Sequence, residues 1–201
     1  MPGAALGAVF VGGQSRRMGT DKALIEAGGE RLVDRTARIL REAGCEQVAA
    51  IGPRHLAGDY VGSVGLVADD HPGAGPLGAL LTALRLAAQA GAAGVMVAAC
   101  DLPALDVATV AAVLAAASPG NGHVGIAVAD SGRREPLLSW WHTRTLATVE
   151  AAFDAGERSV LRVIEHVAMG PAMGPAVGAV VDVPVGADAV FNMNTPDQRP
   201  E

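Results

Sequence analysis

The sequence is poor in aromatic residues, which make up 3% of its 201 positions although 50% of all residues are hydrophobic. Its core must therefore consist mainly of Ala, Val and Leu, a composition that suits helices packed closely on a sheet. A chain of this length can bury enough apolar surface to fold without disulfide bonds or metals. We therefore expect a single domain over residues 1–201.

Cysteine is equally scarce, since Cys45 and Cys100 are the only two. Two cysteines cannot supply a disulfide framework, and such usage is typical of a reducing compartment. The chain also lacks an apolar run of the ~20 residues that a membrane span needs, and no basic region precedes its first apolar run. These features predict a cytoplasmic protein with no membrane partner.

Positive charge is in the minority, because the formal net charge is −6 at pH 7. A general affinity for nucleic acid would favour a basic surface, so we expect no nucleic-acid partner. Basic residues that are concentrated in one stretch must then serve a local purpose.

Short Val-rich runs alternate with Ala- and Leu-rich runs along the chain. The Val-rich runs predict six strands, several apolar on both faces: 6–11, 47–51, 64–68, 94–99, 124–129 and 179–183. Helical spacing predicts five helices: 32–43, 77–90, 107–117, 143–155 and 159–167. Helix caps are expected at Asp106 and Ser159 and helix stops at Gly44, Gly91 and Gly156. This alternation predicts an α/β fold, a three-layer open and mostly parallel sheet with helices on both faces.

Unusual residues follow three of the predicted strands and recur near the end of the chain, which matters because ligands of open α/β sheets bind at the carboxyl ends of strands. The four stretches are VGGQSRRMGTDK (11–22), DDHPGAGPLG (69–78), CDLP (100–103) and FNMNTPDQ (191–198). In the first stretch, two glycines let backbone N–H groups approach a phosphate, and Ser15, Arg17 and Lys22 add donors. The alternative without a function is a surface loop in which the glycines allow a tight turn and the basic side chains are merely solvated. Glycines placed directly after the first strand favour phosphate binding.

Asp101 comes directly after a buried apolar run and before Leu102-Pro103, which ends the strand. Its carboxylate should therefore lie at the ligand edge of the sheet, where one carboxylate beside bound phosphates suits Mg²⁺. The alternative is that Asp101 caps the next helix, but Asp106 is better placed for that.

Gly73, Gly75 and Gly78 spell the G-x-G-x-x-G pattern of dinucleotide-binding folds. Pro76 interrupts this pattern, and the downstream acid Asp101 lies beyond the next helix and strand instead of at the end of the next strand. The match is therefore weak evidence for a nicotinamide or flavin cofactor.

Four motifs in fixed order, GGQSRRMGTDKAL, GPLGAL, ACDLPAL and FNMNTPDQ, resemble those of nucleotidyltransferases, and above all those of the molybdenum cofactor guanylyltransferases. The resemblance extends from about residue 6 to residue 198. It implies a Rossmann-like nucleotidyltransferase fold and transfer of GMP from GTP to the terminal phosphate of molybdopterin, with release of pyrophosphate; whether the molybdopterin already carries molybdenum stays open. Molybdoenzymes or their chaperones would be the further partners.

The resemblance also assigns roles to residues at the matching positions. It implies a nucleotide site formed by Phe10, Val11, Gly12, Gly13, Ser15, Arg17, Lys22, Asp69, Asp70 and Asp101. Of these, Lys22, Arg17 and Asp101 would be catalytic, and Asp101 with Asn194 would hold Mg²⁺. For the aspartate that precedes the GPL segment and contributes to guanine binding, the resemblance points to Asp70, with Asp69 as the alternative.

Two departures from the family pattern affect the base side of this site. Phe10-Val11 stand where the family usually has Leu-Ala, and an Asn that some members carry at the end of the second strand is replaced near Ile51-Gly52. Because both departures concern recognition of the base, they weaken the prediction that the base is guanine more than the prediction of nucleotidyl transfer.

The implied reaction needs no general base, because a terminal phosphate is already ionised at neutral pH. The sequence agrees with this, since its histidines are scattered and form no constellation with cysteine: His55, His71, His123, His142 and His166. Catalysis would depend on positioning and on neutralising phosphate charge.

The stretch RREPLLSWW (133–141) contains both tryptophans. The resemblance implies that this stretch runs along the acceptor side, where Arg133 or Arg134 could contact the pterin's phosphate and an aromatic ring could stack on the pterin. The favoured alternative is that Trp140-Trp141 fill a sheet edge or a subunit contact.

Two other functions remain open at this stage. One keeps the fold and uses CTP with the same pterin, or a nucleotide with another phosphorylated metabolite. The other is a nucleotide-binding module without catalysis, which the presence of both Lys22 and Asp101 disfavours.

Overall fold

The computed structural model describes residues 4–11, 22–54, 64–116, 123–168 and 180–191. Within these ranges the strands are β1 (Ala5–Phe10), β2 (Glu26–Ala27), β3 (Glu30–Arg31), β4 (Cys45–Gly52), β5 (Gly65–Ala68), β6 (Gly94–Ala99), β7 (Val124–Ala129), β8 (Arg134–His142) and β9 (Val180–Val185). The α-helices are α1 (Leu32–Glu42), α2 (Pro76–Gln89), α3 (Val107–Ala116), α4 (Leu146–Asp154) and α5 (Val160–Ala168).

Seven strands form one sheet in the order β5-β4-β1-β6-β8-β7-β9, and β2 pairs with β3 in a separate hairpin. Adjacent strands of the large sheet are parallel except where β8 runs antiparallel to β6 and β7. The prediction of a mostly parallel sheet is therefore confirmed. Its parallel part brings the carboxyl ends of β1, β4, β5 and β6 to one edge.

Helices cover both faces of the sheet and bury two separate hydrophobic cores. On one face, α1 and α3 contribute Val33, Leu40 and Val110. On the other face, α2, α4 and α5 contribute Leu80, Val149 and Ile164. This arrangement confirms the three-layer α/β fold, and small aliphatic side chains supply most of its packing.

The predicted helix boundaries follow from local chemistry. Asp106 caps α3, since its Oδ1 accepts a hydrogen bond from the Thr109 N–H at 2.7 Å. At the start of α5, Ser159 Oγ accepts from the Arg162 N–H at 3.4 Å. The predicted stops all have positive φ, which favours glycine after a helix: Gly44, Gly91 and Gly156.

Strand β8 was not among the predicted strands, and it lies inside the sheet between β6 and β7. Pro136 argues against a central strand because proline donates no ladder hydrogen bond. The structure resolves this conflict with a register shift in the β7–β8 pairing, where Ile126 faces Ser139 but Ala127 faces Glu135. Pro136 falls within this irregularity, where its missing N–H is tolerated.

The expectation that the tryptophans fill a sheet edge is wrong, because β8 is an interior strand. As consecutive strand residues they point to opposite faces. Trp140 joins the core under α1 and α3, and Trp141, fully buried, joins the core under α2, α4 and α5. The Trp141 indole N–H donates to Ser139 Oγ at 2.8 Å. Both indole rings therefore pack in the hydrophobic cores.

The Gly- and Pro-rich stretch MGPAMGPAVG (169–178) predicts a loop, and it lies outside the described residues. In the part of the chain that is described, no helix combines the length and the apolar character needed to cross a membrane.

Candidate active site

A cavity of about 500 Å³ opens at the carboxyl edge of the parallel strands. Residues that follow four neighbouring strands line it, including Val11 after β1, Gly52 at the end of β4, Asp69 after β5 and Asp101 after β6. Lys22 enters the same cavity from the short 3-10 helix Lys22–Leu24. The topology thus places a ligand pocket where open α/β sheets bind their ligands.

Lys22 and Asp101 face each other in this cavity. The Lys22 Nζ lies 3.7 Å from Asp101 Oδ2, and the two side chains are 18% and 27% exposed. Lys22 is also the only lysine in the sequence. The structure therefore brings together two of the predicted catalytic residues from distant parts of the chain.

Asp101 occupies an unfavourable environment for a carboxylate. Burial raises its pKa above the ordinary value, and the charge of Lys22 only partly offsets this effect. Asp101 does not cap α3, because Asp106 fills that role. A half-buried carboxylate with no capping role and a cation beside it is suited to a ligand that carries both a metal and negative charge.

The donor set around Asp101 fits a metal that is shared with a substrate. Among the described residues, no group of three or more His, Cys, Asp or Glu side chains is arranged to hold a metal ion. Mg²⁺ does not require such a cage, since it binds through one or two carboxylates together with waters and substrate phosphates. Asp101 matches that requirement.

The two adjacent aspartates after β5 have different surroundings. Asp69 lines the cavity, and its Oδ1 accepts hydrogen bonds from the Thr82 hydroxyl at 3.0 Å and from the His71 N–H at 2.9 Å. Asp70 is not among the cavity-lining residues; its side chain is 55% exposed and lies 3.6 Å from Arg85. Of these two neighbours, only Asp69 therefore presents its carboxylate to the cavity.

The 69–75 loop forms one wall of the cavity, through Asp69, Pro72, Gly73 and Gly75. The glycines of the G-x-G-x-x-G pattern have structural roles here. Gly73 and Gly75 have φ of 84° and 77°, in the region that favours glycine. At Gly78, a Cβ would come within 3.0 Å of the His71 Cβ. In this chain the pattern thus coincides with a tight turn at Gly73 and Gly75 and a close contact at Gly78.

Phe10 and Val11 line the cavity and are nearly buried. Val11 extends the β1–β4 pairing, since its N–H donates to the Ile51 carbonyl at 3.0 Å. A Cβ at Gly52 would lie 2.5 Å from Val11 Cγ2. The two departures from the family pattern are therefore coupled, because the larger side chain at position 11 occupies space that a side chain at position 52 would need.

Thr82 was missed by the sequence analysis. It lies in α2, is nearly buried, and bridges Asp69 to the backbone N–H of Asp70, the latter at 3.1 Å. A threonine within an otherwise Ala- and Leu-rich helix is the only signal that pointed to it.

Several predicted site residues lie outside the described residues: Gly12, Gly13, Ser15, Arg17 and Asn194. Their roles stay predictions.

The arginines of the predicted acceptor side are engaged elsewhere. Arg134 donates to both carboxylate oxygens of Asp182 at 2.9 Å. Arg133 donates to the Val190 carbonyl at 2.9 Å and to Glu135 at 3.3 Å. Neither arginine lines the cavity. Contact between one of these arginines and an acceptor phosphate stays a prediction. It would require the arginine to give up its present hydrogen bonds.

A mostly parallel sheet with Lys22 and Asp101 in a cavity at its carboxyl edge is the arrangement expected of a nucleotidyltransferase. The family model of the MobA-like NTP transferase domain matches residues 7–169. The chain belongs to this family.

Relatives extend the likeness over most of the chain. A probable molybdenum cofactor guanylyltransferase from Opitutus terrae is 41% identical over 80% of this chain and 78% of its own length. A molybdenum cofactor guanylyltransferase from Xanthomonas euvesicatoria is 34% identical over 96% of this chain and 90% of its own. These matches confirm the resemblance drawn from the four motifs.

Among solved structures, molybdopterin-guanine dinucleotide biosynthesis protein A from Archaeoglobus fulgidus has a similar fold. It superimposes with a TM-score of 0.71 at 23% identity, covering 96% of this chain and 93% of that one. This likeness confirms the fold.

Proposed function

We propose that this protein transfers GMP from GTP to the terminal phosphate of molybdopterin, as a step in molybdenum cofactor biosynthesis. The observation that carries the proposal is the pairing of Lys22 with Asp101 across the cavity, in a chain that belongs to a nucleotidyltransferase family. The names of the relatives supply the nucleotide and the acceptor.

The reaction is a substitution at phosphorus. An oxygen of the acceptor's terminal phosphate attacks the α-phosphorus of GTP, and the bond from that phosphorus to the oxygen bridging to the β-phosphorus breaks. Pyrophosphate leaves with the electron pair of that bond. The attacking oxygen is already ionised, so the site needs to position two anions and to neutralise their charge.

Lys22 suits this task, because its ammonium group lies at the cavity surface next to Asp101. We assign it to the charge that develops on the transferring phosphoryl group and on the leaving pyrophosphate. Gly12, Gly13, Ser15 and Arg17 would complete the triphosphate site through backbone and side-chain donors.

Asp101 would hold Mg²⁺, with Asn194 as a further oxygen ligand. When bound, the metal would supply electrostatic stabilisation of the phosphates. Asp101 Oδ2 lies 3.7 Å from the Lys22 Nζ, so Asp101 would also help to hold the ammonium group at the cavity surface.

The other end of the cavity suits the base. Phe10 and Val11 give it an apolar floor, and Asp69 presents its carboxylate there. The Asp69 Oδ1 is already held by Thr82 and by the backbone, so we assign Oδ2 to accept from the N1–H and amino groups of guanine. Asp70 faces Arg85 instead, and we assign it no contact with the nucleotide.

We place the reaction in the cytoplasm and expect molybdoenzymes or their chaperones to receive the product. The test is guanylyl transfer to molybdopterin with purified protein, together with thermal unfolding in the presence of Mg²⁺ and GTP, CTP, ATP or UTP. GTP should raise the melting temperature most, since a ligand stabilises the state that binds it. A larger shift with CTP would assign the protein to cytidylyl transfer, and failure of every nucleotide to shift the transition would contradict the proposal.

A further inference from the structure

Arg85 of α2 has three partners on the outer side of the 69–75 loop. Its guanidinium group donates to Glu150 of α4 and, at 3.1 Å, to His71 Nε2. It also lies 3.6 Å from the Asp70 carboxylate. Arg85 thus connects α2 to the loop and to α4 through hydrogen bonds and ion pairs.

The loop is fixed from this outer side by further contacts. The His71 ring packs on the Phe153 ring of α4, with centroids 4.5 Å apart, so His71 is held between Phe153 and Arg85. Behind the loop, Thr82 holds the Asp69 carboxylate and the Asp70 N–H. Asp69 belongs to the cavity, whereas Asp70, His71 and Arg85 are not among its lining residues.

We propose that Arg85, with Glu150 as its anchor, is a positioning residue for nucleotide affinity: it orders the 69–75 loop so that Asp69 is presented to the base. The planar guanidinium group can address several acceptors at once, which a lysine ammonium group on a flexible stem does less well. Arg85 reaches the ligand only through the loop. The effect on GTP rests on the proposed function, whereas the ordering of the loop does not.

The first experiment measures the loop itself. In ligand-free protein, Arg85→Gln should speed amide hydrogen exchange at the N–H groups of residues 70, 71 and 74, which are hydrogen-bonded within or beneath the loop. Arg38→Gln is the matched control, because Arg38 also bridges two carboxylates, Glu30 and Glu42, but belongs to α1 and does not line the cavity.

The second experiment measures the consequence for binding. Arg85→Gln should weaken GTP binding on the order of tenfold and raise KM for GTP, with kcat nearly unchanged. Binding of inorganic tripolyphosphate, which lacks the base, should stay the same. Arg85→Lys should fall between Gln and the natural residue.

Glu150→Gln provides a second variant in case Arg85→Gln folds poorly, and it should reproduce both effects in weaker form. Equal exchange in the Arg85, Glu150 and Arg38 variants would overturn the proposal. Equal losses of GTP and tripolyphosphate binding would also overturn it, since they would indicate a general loss of structure. If the unmodified protein binds no GTP, the proposed function fails, and the exchange experiment alone decides whether Arg85 orders the loop.

Discussion

The two ends of the cavity differ in how they are built. At one end, Lys22 and Asp101 put opposite charges 3.7 Å apart, and burial opposes the charge on Asp101. At the other end, Val11, Gly52 and the 69–75 loop form a surface of apolar side chains and backbone, in which Asp69 supplies the carboxylate. If the proposed roles hold, the charged end acts on the rate of nucleotidyl transfer, whereas the apolar end acts on which nucleotide binds and how tightly. Substitutions at the charged end should therefore mainly lower kcat, and substitutions at the apolar end should mainly lower the affinity for the nucleotide.

The largest effect is expected for Asp101→Asn, which removes the proposed metal ligand. We expect turnover to fall by about a thousandfold or more, because electrostatic stabilisation of the transferring group is lost. Since burial raises the pKa of Asp101, the neutral amide should not lower the melting temperature. Guanylyl transfer and thermal unfolding measure the two outcomes. Asp106→Asn is the control, as Asp106 only caps α3; near-normal turnover of the Asp101 variant would remove this residue from the site.

Lys22→Met tests whether the charged end acts on the transition state. It keeps the apolar stem and removes the ammonium group, so single-turnover transfer should slow by about a hundredfold with a smaller loss of GTP affinity. Because Lys22 is the sequence's only lysine, an amine-directed reagent should modify only it and the N-terminal amine, and GTP should protect it. If the rate and the GTP affinity fall by the same factor, Lys22 only binds the triphosphate and does not stabilise the transition state.

Asp69→Asn and Asp70→Asn compare neighbouring carboxylates at the apolar end. Asp69→Asn preserves an oxygen for Thr82 and removes the charge that we assign to guanine, so GTP affinity should fall by about tenfold. Asp70→Asn should have a smaller effect, through Arg85 alone. Isothermal titration with GTP measures both affinities. The reverse order would show that the loop presents Asp70 to the nucleotide.

The smallest effect is expected for the Val11–Gly52 contact. Gly52→Ala places a methyl group 2.5 Å from Val11 Cγ2, so the apolar end must shift, and GTP affinity should fall by roughly threefold. Adding Val11→Ala should restore part of this loss, because the clashing methyl group is gone. Additive losses in the double variant would mean that the two positions are not coupled.

Much of the fold could be predicted from the sequence because its signals are local. Six of the strands in the large sheet are short apolar runs, and the helices carry regular apolar spacing with glycine stops. Strand β8 could not be predicted in this way. Pro136 reads as a strand breaker, and only the irregular pairing with β7 makes its position tolerable.

The candidate site shows the same division. Residue type and position in loops that follow apolar runs mark Lys22 and Asp101 as candidates, and the structure brings both into one cavity, while their chemical roles stay predictions. Thr82 gave almost no signal, since a threonine in a helix has many uses. Its role depends on where α2 crosses the loop, which is a property of packing.

The sequence by itself determined the residue types in the loops, the apolar runs that become strands, and the family to which the chain belongs. The tertiary structure alone decided that Asp69 faces the cavity while Asp70 faces Arg85, and that the two tryptophans fill opposite cores. The physical reason is the distance along the chain over which each interaction acts. Propensity, turn chemistry and charge act between near neighbours in the chain, whereas the direction in which a side chain points is set by strand order and by the helices that pack on the sheet.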